Sequence, residues 1–183
     1  MQKKPLFIGL GFVLAAVVAF GLFGTKSEAA SPVSFTRPVI DIGVVVTDLD
    51  RSLRFYEEVV GMRRKRSFDL DEDFGARSGL TDGRPVHIEV LELESGEHAT
   101  EWKLMSFGED TPRQENAYIH DHTGVQYITI HVAALNPILE RIRAHDVELL
   151  GDTPTPLGGA NHFVLIQDPD GTFVELIGPM DAE

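Results

Sequence analysis

The stretch VIDIGVVVTDLDRSLRFYEEVVGMRRKRSF, residues 39–68, decides the fold. It opens with a β-branched strand over about 39–46. Thr47 or Asp48 then offers a helix N-cap, and Leu49, Leu53, Tyr56 and Val60 fall on one helical face. Gly61 stops the helix, and a second strand runs through Met62 to Phe68. An acidic, glycine-containing stretch, 69–85, reads as a loop. Strands return at VHIEVLELE and ATEWKLMSF, with a turn at Ser95-Gly96 between them.

The order then repeats. GVQYITIHV is a strand, and Asn136-Pro137 opens a helix to about His145, with Asn136 as cap and proline in the first turn. VELLGDT and NHFVLIQ are strands, and Asp168-Pro169-Asp170-Gly171 turns the chain into the last strand, TFVELIG. The predicted fold class is α+β: two tandem βαβββ modules forming a curved mixed sheet around one cavity. The domain spans about 38–179, with modules at about 38–107 and 124–179, joined by GEDTPRQENAYIHDHT and followed by a short tail at 180–183.

The amino terminus has a different character. Lys3 and Lys4 precede an uncharged run, 6–24, and Ser27 and Ala29 are small residues placed for cleavage after Ala29. Residues 1–29 read as a secretory signal peptide, or as an uncleaved membrane anchor, since nineteen uncharged residues nearly span a bilayer. Either way the domain is expected to be exported, periplasmic or extracellular, behind a polar tether at 30–37. There is no cysteine, hence no disulfide, thiolate ligand or thiol nucleophile. The formal charge of -13 becomes -15 once three lysines and one glutamate leave with residues 1–29. Such an acidic domain is a poor partner for nucleic acid or anionic membranes.

Two pieces, IGVVVTDLDRSLRFYEEVVGM and DPDGTFVELIGP, in this order and with the duplication, resemble the vicinal-oxygen-chelate superfamily. That superfamily includes glyoxalase I, methylmalonyl-CoA epimerase, extradiol dioxygenases, fosfomycin-resistance enzymes and bleomycin-binding proteins. The likeness covers about residues 38–179 and implies a pair of βαβββ modules around a cavity.

Strand alternation sorts the faces independently of the resemblance. It places Asp41, Lys103, Met105, Tyr127, Thr129, His131, Phe173 and Glu175 on the side expected to line the cavity. His162 shares parity with Val164 and Ile166 and faces away. His120 and His122 read as solvated linker residues, and PLGGAN, 156–161, as a flexible loop at the rim.

The resemblance implies four metal-ligand positions, which fall on Asp41, Lys103, Tyr127 and Glu175. Only Glu175 has the usual ligand chemistry, and an ammonium has no lone pair to offer a metal. We therefore expect Lys103 to stand where the metal would, balancing Asp41 and Glu175, with the Tyr127 hydroxyl completing the cluster. The other arrangement is a displaced site of Asp41, Glu101, His131 and Glu175 holding Zn, Ni, Mn or Fe.

Two functions follow. One is a cofactor-free binder of a small, partly apolar molecule, with Lys103 favouring an anionic group. The other is a metal-dependent lyase or isomerase resembling glyoxalase I or methylmalonyl-CoA epimerase, with Glu175 or a neighbour as the catalytic residue that moves the proton; a metal-free version would use Lys103 as electrophile and a carboxylate as base. The resemblance also implies a homodimer.

Overall fold

A computed structural model describes residues 33–108, 111–113 and 115–181. The expected signal peptide or anchor, 1–29, lies outside the described residues.

The first module runs β1 (Ile42–Val45), α1 (Leu49–Arg54), β2 (Arg63–Leu70), α2 (Glu72–Ser78), β3 (Val86–Glu92) and β4 (Trp102–Ser106). The second runs β5 (Tyr127–His131), α3 (Asn136–Ala144), β6 (Thr155–Gly158), β7 (Asn161–Gln167) and β8 (Phe173–Pro179). Each module folds into a four-stranded sheet, ordered β1-β4-β3-β2 and β5-β8-β7-β6. The first strand of each lies parallel to the last, and the other pairings are antiparallel. The repeat read from the sequence is thus a repeat of topology: one expected curved sheet is built as two four-stranded mixed sheets.

Helix α1 starts at Asp48, whose carboxylate accepts from the Arg51 amide at 2.9 Å. From Phe55 to Val60 the winding loosens to a π-helix. This widens the buried stripe, so that Phe55, Tyr56, Val59 and Val60 all face inward. Gly61 ends it at φ 90°, and a Cβ there would lie 2.6 Å from a guanidinium nitrogen of Arg141. The backbone conformation favours glycine, and any Cβ there would also displace the end of the Arg141 side chain.

One core serves both modules. Leu53, Tyr56 and Val59 of the first helix meet Ile138, Leu139 and Ile142 of α3, between Trp102 and Leu104 of one sheet and Val164 and Leu176 of the other. The turn Asp168–Gly171 adds a polar clamp. Buried Asp168 accepts from the Tyr56 hydroxyl at 2.8 Å and from the amides of Thr172 (2.8 Å) and Asp170 (2.9 Å). Asp170 reaches the start of α1. It accepts from the Thr47 amide (3.3 Å), from the Thr47 hydroxyl and from the Ser52 hydroxyl (3.2 Å), and pairs with Arg51 at 3.5 Å. Burial, outweighing these hydrogen bonds, raises the Asp168 carboxyl above its ordinary range.

Four local expectations need correction. The stretch 69–85 is not all loop: Asp71 accepts from the Phe74 amide at 2.7 Å and caps α2, which ends at Gly79. The second strand of the second module is Thr155–Gly158, not 147–153, because Leu150 bonds to β7 only once, through its amide to the Leu165 carbonyl, before the chain turns at Gly151. The segment 156–161 is accordingly a tight β6–β7 hairpin, with Gly158 opposite Asn161, rather than a free loop. Asn136 is the first helical residue of α3, with Leu135 at the cap position.

His87 joins β2 to β3 by contacting Asp69 at 2.7 Å and Glu89 at 3.3 Å. Hydrogen bonding to Asp69, then to Glu89, raises its pKa above 6.5. Its ion pairs therefore contribute fully below pH 6.5 and fade as pH rises through the raised folded value. Denaturant titrations at several pH values should show this decline in the native protein and a flatter profile in His87→Ala. Tyr56→Phe strips a hydrogen bond from a buried carboxylate and should lower unfolding free energy by about 2 kcal/mol, read from the urea midpoint.

Candidate functional site

The two sheets present different open faces. On the first, Val86, Ile88 and Val90 are almost fully buried although they lie outside the main core, because Phe68, Leu70, Met105 and Phe107 cover them. Met105, expected in the cavity, is part of this filling. Beside it lies an ionic cluster built on Glu101, which is 4% exposed. Arg66 grips Glu101 with two bonds, at 2.9 and 3.2 Å, while Lys65 lies at 3.4 Å and Lys103 at 3.5 Å. Lys103 also contacts Asp41 at 3.4 Å. Asp41 in turn accepts from the Glu101 amide at 3.1 Å and from Arg37 at 3.4 Å. Burial works to raise the Asp41 carboxyl, but the Glu101 amide, Lys103 and Arg37 together hold it below its usual value.

The second sheet keeps an open bowl of about 640 Å³. Its floor comes from inward-facing residues of β7 and β8: Phe163, Leu165, Phe173 and Glu175. Leu150, Thr155 and Leu157 form one rim, and residues 117–120 form the opposite wall. That wall has identifiable supports. The Gln167 amide donates to the carbonyls of Asn116 (3.0 Å) and Gly171 (3.2 Å), and Asp121 accepts from the amides of Ala117 (2.8 Å) and Tyr118 (2.9 Å). The Tyr118 amide, ahead of that of Ala117, holds the Asp121 carboxyl below its ordinary value. The Tyr118 and His120 rings stack at 5.6 Å.

Glu175 supplies the carboxylate of the bowl. β5 and β8 pair with Thr129 directly opposite it, and the Thr129 hydroxyl donates to Glu175 Oε2 at 2.6 Å. Among the described residues this is the only hydrogen-bond partner of Glu175. The carboxylate inside an apolar strand is tolerated because a hydroxyl bonds it and the bowl keeps it wet.

The expected cluster of Lys103, Asp41, Glu175 and Tyr127 is therefore only partly assembled. Lys103 and Asp41 meet on the first sheet, but Glu101 takes the place expected for Glu175, which sits on the second sheet with Thr129. Tyr127 is 45% exposed on the edge strand β5 and joins neither group. His131 is exposed opposite Ile177, outside the bowl lining. The displaced metal set is also separated: Asp41 and Glu101 lie on one sheet, His131 and Glu175 on the other. Among the described residues no group of three His, Asp or Glu is placed to hold a metal.

The family ligand positions also fail on chemistry. Lys103 offers no lone pair, and both Asp41 oxygens already accept hydrogen bonds. Arg66, Lys65 and Arg37 had no sequence signal beyond a basic strand and tether. The His120 contribution to the wall, too, was hidden, because it depends on how the linker folds back. Glu101 was legible as a cavity-side acid one pleat from Lys103.

A family model described as the glyoxalase/bleomycin resistance protein/dioxygenase superfamily matches residues 39–176. Among curated proteins, a lactoylglutathione lyase of Haemophilus influenzae is 30% identical over 133 residues, covering 72% of this chain and 85% of that protein. A lactoylglutathione lyase of Salmonella typhimurium is 28% identical over 137 residues, covering 75% and 89%. Among solved structures, a glyoxalase family protein from Bacillus cereus superposes with a TM-score of 0.69 at 17% identity, over 84% of this chain and 100% of that one. Leishmania major glyoxalase I gives 0.55 at 24% identity, over 76% and 84%. At these identities the two structures speak to fold alone.

Glu101→Ala would leave Lys65, Arg66 and Lys103 crowded without their shared acid, and should cost about 3 kcal/mol of stability. Lys103→Ala leaves Glu101 with two cations and Asp41 with Arg37, so its cost should be nearer 1 kcal/mol. Urea denaturation of both variants checks the order.

Proposed function

We propose, for a chain that belongs to the glyoxalase/bleomycin resistance protein/dioxygenase superfamily, that it binds a small, partly apolar molecule in the second-sheet bowl without a metal. The observation that carries this reading is an open, apolar bowl of about 640 Å³; the ion pairs of Lys103, at a ligand position that the resemblance implies, support the absence of a metal from the reading. That volume suits one small organic ligand. Phe163, Phe173 and Leu165 supply apolar surface, Glu175 supplies the orienting polar group, and the wall at 117–120 limits access. Lys103, shared between Asp41 and Glu101, places a fixed positive charge at a family ligand position and makes the first sheet structural.

The names of the relatives support a second reading, a lactoylglutathione lyase. In that case Glu175 would move the substrate proton, and a divalent ion would have to find donors other than Lys103.

Exposed apolar side chains on and beside the neighbouring edge strands β1 and β5, namely Ile40, Val45 and Tyr127, support pairing with a second copy. The uncharged run at 6–24 supports export or membrane anchoring of the domain.

Metal analysis of the purified full chain, with thermal shifts and hemithioacetal turnover measured in added Ni²⁺, Zn²⁺, Mn²⁺ and Fe²⁺, separates the two. Binding without chemistry gives no stoichiometric metal, no turnover and no metal-dependent shift. Turnover that needs metal and vanishes in Glu175→Gln would replace that reading with the lyase. Asp121→Ala, which releases two wall amides, should weaken ligand binding several-fold with little change in folding.

A further inference from the structure

The polar content of the bowl is lopsided. Among the described residues, Glu175 is the only carboxylate in its lining, and no lysine or arginine joins it there. Thr129 occupies Oε2, and among the described residues no group bonds Oε1. The lining also holds His120, which is stacked on Tyr118 and whose Nε2 lies 3.8 Å from Asp121. The cations expected to attract an anion are elsewhere: Lys103, Lys65 and Arg66 are on the first sheet and committed to Glu101. An anionic ligand would bring a second negative charge towards Glu175 with nothing beside it to offset the repulsion.

Building on the small-molecule reading above, we propose that the bowl selects a monocationic amphiphile: a protonated amine on a short aromatic or branched apolar body. The ammonium donates to Glu175 Oε1, in a half-buried position where a charge-assisted hydrogen bond is stronger than at an open surface. The apolar body lies on Phe163, Phe173 and Leu165. The stacked Tyr118–His120 pair closes over the cationic end, where a tyrosine ring face is attractive. Thr129 acts as a positioning residue, because its hydroxyl fixes one carboxylate oxygen and leaves the other turned to the ligand.

The test uses three probes of matched size on the full chain, followed by calorimetry: 2-phenylethylamine, 2-phenylethanol and 3-phenylpropionate. The amine should bind about tenfold or more tighter than the alcohol, with the carboxylate weakest. Glu175→Gln, nearly isosteric, should erase the amine's advantage while leaving alcohol binding in place. Thr129→Val should reduce the advantage several-fold without abolishing it. The amine's advantage should also fade as added salt screens the pair. Equal affinity for all three probes, or an advantage that survives Glu175→Gln, overturns the charge preference but leaves the bowl as a binding site. Failure of all three probes to bind at millimolar concentration overturns both.

Discussion

The DPDG turn is the constraint on which the arrangement of both modules depends. Each module has a sheet that needs covering and only one long helix to cover it, so neither buries its apolar face alone. The shared core solves that problem without direction, since hydrophobic contact tolerates sliding and rotation. Asp168 and Asp170 supply direction. One carboxylate is fixed inside its own turn by two amides and reaches Tyr56, and the other reaches Thr47 and Ser52 at the start of α1. A turn of the second module thus braces the start of the first module's helix. Burial raises the pKa of Asp168, the direction expected where a carboxylate is taken out of water.

How much was legible follows from the range of each interaction. The strand–helix–strand order, the Gly61 stop and the DPDG turn are local signals, and the fold follows from them together with the repeat. Parity sorted the faces of β7 and β8: Val164 and Ile166 are in the core, while Phe173 and Glu175 line the bowl. It could not say which sheet faces which. Lys103 and Glu175 have the same parity on equivalent strands, but belong to different sheets and find different partners. The ionic cluster was also beyond a local reading, because Arg66 meets Glu101 across three strands, from β2 to the start of β4.

Duplication gave two equivalent bowls, and the side chains then made them unequal. In the first, bulky Phe68, Met105 and Phe107 cover the β3 valines and isoleucine, and charged stems fill what remains. In the second, Phe163, Leu165, Phe173 and Glu175 form the floor, and linker residues 117–120 line the bowl with them. The linker wall needs anchoring, which Gln167 at the end of β7 and Asp121 within the linker provide by pinning main-chain groups rather than by packing.

The substitution at the family's ligand position reads naturally within this asymmetry. A bound ion concentrates positive charge at a point and exchanges with solvent, whereas an ammonium on a side chain is tethered and needs acceptors nearby. Asp41 and Glu101 are those acceptors, and Arg66, Lys65 and Arg37 hold them in place. Once the first sheet's acids are consumed by its own cations, Glu175 is left as the carboxylate facing open space in the bowl. A site that supplies its own cation on one sheet leaves an uncompensated anion on the other, and that residual charge is what a ligand entering the bowl meets.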